Sequence, residues 1–366
     1  MSKILFITAF TPSNSGAGVS YTQQLLHEMS KEHQIDLVYF GYPGEKEYSS
    51  PNANINILYS KRISKYSRFK GMVSLMFLFP LFSSRFSWTI VMKLRKLIKK
   101  NTYDVIYFDF SQTFCYSLFL THPNKVMMAH DVIYQRYMRA NSSLSFWVKC
   151  SENILIKKAK AVFTFSEKDS AIIKQQYNVE SKATTFFINK YAIGAIPSKD
   201  ANYFVFFGGW SRYDNYEALE WFLDNVYHLI PRCYTFKIIG GGLSDRICKR
   251  ISVLDNVEYL GFVDNPYEII ANARAELAPL HFGAGVKVKC IEALACGIPI
   301  IGTNVAFEGI GEEYSSYMLL ADSPEDYVKA MSECNVTVED KLKAKDCFLS
   351  TYNNKTILQY LRTNNN

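Results

Sequence analysis

The chain has 366 residues, enough for two domains at ~150 residues each. With 48% hydrophobic and 20% charged residues it can bury a large core, which excludes a disordered, fibrous or low-complexity chain. Its 41 Lys and Arg against 34 Asp and Glu give a net charge of +7. That mild excess suits an anionic ligand or surface and does not by itself imply nucleic acid.

The N-terminus, MSKILFITAF, is apolar only over residues 4–10 and runs directly into a Pro/Ser/Gly loop without a small-residue cleavage site. It reads as a first β-strand rather than a signal peptide, and the expected location is the cytoplasm. Further strands are expected at 34–40, 104–110, 125–130, 161–165 and 183–188, where β-branched and aromatic residues cluster. Between the first two, Val19, Thr22, Leu25, Leu26 and Met29 recur at helical spacing. Strand, glycine-containing loop, helix and strand make a βαβ unit, so the sheet should be parallel.

Residues 49–103 are unlike the rest. They hold 11 Lys and Arg and no Asp or Glu, around the apolar run GMVSLMFLFPLF at 71–82. Twelve residues are too few to span a bilayer as a helix, which takes about 20. A basic segment around an apolar one can lie on an anionic membrane surface, so 61–100 is read as a peripheral membrane contact at the inner face of the cell membrane. The alternative is a core helix with a solvated basic flank. No RNP, KH or helix-turn-helix signature accompanies the basic residues, so no nucleic-acid partner is expected.

At 191–202 the segment YAIGAIPSKDAN gathers Gly, Pro, Ser and Asp and reads as an interdomain linker. The alternation then restarts, with strands expected at 203–207, 234–239, 257–262, 275–279, 298–302 and 316–320. The fold class is therefore α/β, with two consecutive doubly wound parallel-sheet domains facing a central cleft. Of the eight cysteines, no two form a C-x-x-C, and no His stands at zinc-ligand spacing from a pair. They read as buried free thiols in a reducing compartment, and no metal site is expected.

The densest chemical signal is HFGAGVKVKCIEALACGIPIIGT at 281–303. Gly283 and Gly285 allow close backbone approach to a ligand, and the N–H groups of 283–286 precede a helix that begins near Lys289. A glycine loop feeding a helix N-terminus is an anion site. Lys287 and Lys289 add positive charge that suits a diphosphate. Glu292, one turn in, can accept two hydrogen bonds from adjacent hydroxyls such as those of a ribose. The plainer role for it is a first-turn acid complementing the helix dipole.

This segment resembles the nucleotide-binding signature of GT-B glycosyltransferases of group 1, the large retaining family 4. The pattern G-x-G-x-R/K-x-K-x-L/I-E-A-L/M-A-x-G-x-P is met from Gly283 onward, and Thr303, Glu308, Gly309 and Ile310 match its continuation. FFGGWSRYDNYEALEWF (206–222), with Gly209 and Arg212, and FKIIGGG (236–242), with Gly241, are similar to the family's donor-domain units. The first domain is looser: the Gly16 and Gly18 loop, the His130–Asp131 pair and FTFSEKD (163–169). Two departures stand out. Ala284 occupies the place of the first Glu of an E-x7-E motif, and Arg212 stands near the place of a Lys that holds the diphosphate.

The resemblance implies two Rossmann-like domains. Residues 1–198 would bind the acceptor and 199–345 the nucleotide sugar, with the tail 346–366 packing back on the first. It further implies sugar transfer from a nucleotide-diphosphate sugar to a hydroxyl of a glycan or lipid-linked acceptor, with retention, in cell-surface polysaccharide biosynthesis. Glu292 would hold the ribose. Lys289 and Arg212 would steady the diphosphate, and His130 would position the sugar. Asp131 would orient His130 or touch the acceptor, or else cap the following helix. The loop of Gly16 and Gly18 would face the donor phosphates. No D-x-D occurs in the chain, so metal-independent chemistry without a cofactor is expected. A non-catalytic glycan-binding protein and a nucleotide-sugar epimerase on the same fold are the alternatives.

Overall fold

The structure is a computed structural model. It describes the whole chain except residues 14–16, 51, 200–201, 284, 353–354 and 364–366, and gives the backbone alone at 17 and 355. Its described strands form two sheets of seven and six. The first contains β1 (Lys3–Thr8), β2 (Gln34–Gly41), β3 (Ile55–Arg62), β4 (Val105–Asp109), β5 (Lys125–Met128), β6 (Ala161–Thr164) and β7 (Lys182–Ala183), in the order β3-β2-β1-β4-β5-β6-β7. The second contains β8 (Tyr203–Phe207), β9 (Thr235–Ile239), β10 (Val257–Gly261), β11 (Ala275–Ala278), β12 (Ile300–Gly302) and β13 (Met318–Leu320), in the order β10-β9-β8-β11-β12-β13. Every paired strand is parallel. Each strand order reverses beside its first strand, at β1/β4 and at β8/β11. Open α/β sheets hold their ligands just beyond the strand ends at such a reversal.

The central strands are buried on both faces, as parallel sheets with helices on each side require. On β11, Ala275 and Leu277 join a core with Phe204, Phe222 and Ile301, whereas Ala278 joins one with Ile291, Leu294 and Ile300. That second core lies under the helix Val288–Ala295. The first sheet is packed by Leu5, Ile7, Phe40, Val91, Phe108 and Met127.

The chain divides into two compact units, Met1–Phe187 with Asn354–Asn366, and Ile188–Asn353. The crossing therefore comes earlier than the expected 198. The segment expected as a linker is packed: Ala192 and Ala195 are buried, and Asn272 Oδ1 accepts from the backbone N–H of Ser198 (3.0 Å) and Lys199 (3.1 Å). Its Gly and Pro shape a short helix, Lys190–Gly194, and the extended stretch after it. At the other end, the helix Lys355–Thr363 joins the first unit. There Ile357 and Leu361 are buried and Arg362 Nε donates to Glu32 Oε2 at 2.6 Å.

β3 was not expected, because its cations and Ser60 obscure the period-2 pattern. It is an edge strand, with no further strand beyond it among the described residues, and charge there discourages pairing with another chain. All eight cysteines are free, and Cys115, Cys290, Cys296 and Cys334 are buried. Cys233 and Cys347 are exposed, contrary to the expectation of buried thiols throughout.

Candidate donor and histidine sites

In the first unit, the ends of β1 and β4 converge on one carboxylate. Asp109 is fully buried at the end of β4, in register with Thr8 of β1. Its Oδ2 accepts from the hydroxyls of Thr8 (2.8 Å) and Thr22 (2.6 Å), and its Oδ1 lies 2.7 Å from His130 Nε2. A carboxylate oxygen accepts in such a contact, so the pairing calls for a proton on Nε2 and leaves Nδ1 as the ring's other edge. The next residue, Phe110, has φ +65°, which a bulky side chain adopts only when its surroundings compel it. This conformation lays the Phe110 ring on the imidazole, centroids 3.7 Å apart and planes 13° off parallel. Gly18 completes the contact, since a Cβ there would come to 3.0 Å from Phe110 and 3.2 Å from His130 Nδ1. The result is an oriented imidazole, its side chain 10% exposed, able to accept a hydroxyl proton on one edge.

The carboxylate on His130 Nε2 is that of Asp109, which the sequence reading did not name. The signal was present in VIYFDF, where a lone acid ends an otherwise apolar strand. Asp131 does not occupy the cap position, because Val132 is the N-cap of the helix Ile133–Arg139. That helix start is held by Glu152, whose carboxylate accepts from the backbone N–H of Ile133 (3.0 Å) and Tyr134 (3.1 Å) and from the Tyr177 hydroxyl (2.7 Å). Burial pushes the Glu152 carboxyl up to about 7 against those hydrogen bonds.

In the second unit, three turns meet beyond β8, β9 and β11. Gly240, at φ +122°, lies so close to the turn after β8 that a Cβ would fall 1.8 Å from the Gly208 carbonyl oxygen. Gly208 N–H donates to Ile239 O and Trp210 N–H to Gly241 O, which locks the two turns together. Gly209 faces open space, and a Cβ on Gly241 would touch Phe262 at 3.6 Å. After β11 the loop passes Gly283 (φ +111°) and Gly285 (φ +72°) into the helix Val288–Ala295, whose N-cap Lys287 makes no side-chain cap. No side chain of the N-cap covers the first N–H groups of this helix, an arrangement that suits an anion.

The charged residues gather around this loop. Lys287 Nζ donates to Gly285 O at 2.7 Å and lies 4.0 Å from Glu308, so its amine folds back under the loop. Lys289 Nζ donates to Asn215 Oδ1 at 3.1 Å, and Asn215 in turn donates to Gly209 O. Arg212, largely exposed, pairs with Asp214, whose Oδ2 would lie 3.8 Å from a Cβ on Gly283. Glu292 is partly exposed; Tyr267 Oη donates to its Oε1 at 2.9 Å, and burial pushes its carboxyl up to about 7. Val286 packs against the core beneath. Behind them Glu276 of β11 is buried with neither carboxylate oxygen hydrogen-bonded. Burial, opposed by Lys289 and reinforced by Glu292, lifts its carboxyl to about 8.

The structure thus brings Gly209, Arg212, Gly241, Gly283, Gly285, Lys287, Lys289, Glu292 and Glu308 together in one unit and Gly18 with His130 in the other. Gly16 and Ala284 lie outside the described residues. Among the described residues, no three His, Cys, Asp or Glu side chains gather as a metal site would require.

Residues 201–335 match the family described as glycosyl transferases group 1, and residues 18–186 match the one described as glycosyltransferase family 4. The two segments are thus similar to glycosyltransferases, and the fold is the GT-B fold. Solved structures share this fold along nearly their whole length. Sucrose-phosphate synthase from Thermosynechococcus elongatus is 14% identical with a TM-score of 0.70, over 99% of this chain and 98% of that one. Anabaena HepE, in complex with UDP and glucose, is 13% identical with a TM-score of 0.67, over 99% and 100%. S. aureus TarM, in complex with UDP, alpha-GlcNAc-glycerol and Fondaparinux, is 14% identical with a TM-score of 0.70, over 100% of both chains. No curated protein matches the sequence.

Proposed function

We propose that this protein is a glycosyltransferase that moves a sugar from a nucleotide-diphosphate sugar to a hydroxyl of a glycan or lipid-linked acceptor, with retention and without a metal, in building a cell-surface glycan. The observation that carries this reading is the glycine loop opening on a helix start without a side-chain cap, with two lysines and Glu292 beside it. The start of the helix Val288–Ala295, with Lys289, Lys287 and Arg212, balances the diphosphate. Glu292 keeps one oxygen on Tyr267 and offers the other to a ribose. The solved relatives carrying UDP support a uridine nucleotide.

In the transfer, the bond from the anomeric carbon to the diphosphate oxygen breaks and a bond to the acceptor oxygen forms on the same face. The acceptor proton passes to the departing diphosphate oxygen, so no strong protein base is needed. His130, oriented by Asp109, holds a sugar hydroxyl through Nδ1.

A thermal-shift titration with UDP, GDP, dTDP and ADP, with and without EDTA, tests this on wild type and Glu292→Ala. Nucleotide at about 100 Kd should stabilise the wild type by ~2.7 kcal/mol. The variant should lose roughly 1.5–3 kcal/mol of that binding. A shift abolished by EDTA removes the metal-independent mechanism, and no shift with any nucleotide removes the donor site.

A further inference from the structure

The acid-free stretch 49–103 has a surface that neither site uses. The helix Lys65–Ser74 buries one residue, Gly71. A Cβ at Gly71 would fall 2.6 Å from Ser83 O and 2.9 Å from Phe86 O, so this glycine is the point where the helix rests on the first unit. An amphipathic helix on a water-soluble body turns its apolar stripe inward. Here Tyr66 (74% exposed), Phe69 (61%) and Val73 (52%), spaced three and four apart, lie on the outside. Met76 (72%) and Phe77 (54%) extend the stripe beyond the helix.

A second segment, unmarked in the sequence, continues it. Trp147 Nε1 donates to Phe77 O at 3.2 Å and its ring packs edge-on to Phe79, which ties the helix Ser145–Ile156 to the first segment. That helix carries Phe146, 74% exposed, next to Trp147 in the chain. Lys65, Arg68 and Lys70 alternate with the apolar residues. Burial, with repulsion from Lys70 and Lys93, lowers the pKa of nearby Lys61, so these cations crowd one another in the absence of an anion. No helix of the described residues is long and apolar enough to cross a membrane.

We infer that residues 65–77 together with Phe146 form an interfacial docking surface for an anionic lipid bilayer, the aromatic side chains entering the headgroup boundary and the lysines and arginine meeting lipid phosphates. The charge pattern selects this occupant. A second copy of the chain would set the same cations against each other, whereas an anionic leaflet complements all of them at once. The inference stands apart from the transfer reaction, because vesicle binding and nucleotide binding are separate measurements on separate units of the chain.

Co-sedimentation of the full chain with vesicles of phosphatidylcholine, and of phosphatidylcholine with about one-third phosphatidylglycerol, tests it. Binding is expected only to the anionic vesicles and should fade at high salt. Neutralising Lys65, Arg68 and Lys70 together should weaken it on the order of 100-fold, at about 1 kcal/mol per cation. Phe69→Ser with Phe146→Ser should weaken it at least about tenfold. These side chains are exposed, so thermal stability and the nucleotide shift should stay at wild-type values. No binding to anionic vesicles at low salt overturns the inference, as does binding that both variants leave intact. A dimer in sedimentation equilibrium that Phe69→Ser dissolves would assign the surface to a second copy instead.

Discussion

Asp109 shows how much one side chain can organise. It is the meeting point of two strand ends and a helix, through Thr8, Thr22 and His130, and it fixes the orientation of the His130 ring. Asp109→Asn keeps the shape but places an amide NH2 against hydroxyl donors or the imidazole, so His130 loses its tautomer preference and its orientation. Transfer should slow on the order of 100-fold, the effect expected of a reacting group misplaced by about 1 Å. Nucleotide-diphosphate affinity should hold, because that site belongs to the other unit. Equal losses in both measurements would mean general destabilisation instead. His130 stood out in the sequence through its motif context. Asp109 did not, because an apolar strand with an acid at its last position looks the same whether that acid meets solvent or, as here, two threonines brought in from β1 and the following helix.

At the scale of elements, the strand β11 carries an anomaly. Its neighbours in the sheet are apolar, yet Glu276 projects into the core beneath the helix Val288–Ala295 without a hydrogen-bond partner. Its carboxyl is lifted from 4.5 to about 8, so between those values the folded state keeps a proton that the unfolded state has released. Folding stability therefore falls as pH rises through that window, a cost of roughly 3 kcal/mol by neutral pH. Glu276→Leu removes the titration and fills the same space with an apolar group. Its melting temperature should exceed that of wild type, with a gap that widens between about pH 5 and pH 8. A gap that stays constant with pH would show that Glu276 is not held neutral. β1, β2, β8 and β9 were legible because continuous β-branched and aromatic runs have few other uses in an α/β chain. The strand Ala275–Ala278, AELA, was legible only from its place in the alternation. β3 and the two-residue β7 were not, since an edge strand is defined by its neighbour rather than by its own pattern.

For the molecule as a whole, the two βαβ series were legible from alternation alone, whereas the place where the chain leaves each unit was not. Composition marks loops, but whether a loop is a linker depends on what it packs against. The Gly- and Pro-rich segment 191–199 is seated on Asn272 and the core of the second unit. At the other end, the resemblance implied a return to the first unit from 346, but Phe348 still sits in the core of the second unit. Only the part from 354 returns, with Ile357 and Leu361 buried, Tyr360 meeting Phe163 at 5.3 Å and Arg362 paired with Glu32. Deleting 354–366 would take two fully buried apolar side chains from that unit, at about 1.5–3 kcal/mol each. The Arg362–Glu32 pair is exposed and adds little. The shortened chain should therefore show an earlier melting or proteolytic opening of residues 1–187, with the protection that UDP is proposed to give 188–353 unchanged from the full chain. If the deletion leaves the first unit unchanged, the terminal helix does not stabilise it. If the deletion instead abolishes the nucleotide effect, the second unit depends on the tail, and the division of the chain at 353–354 fails.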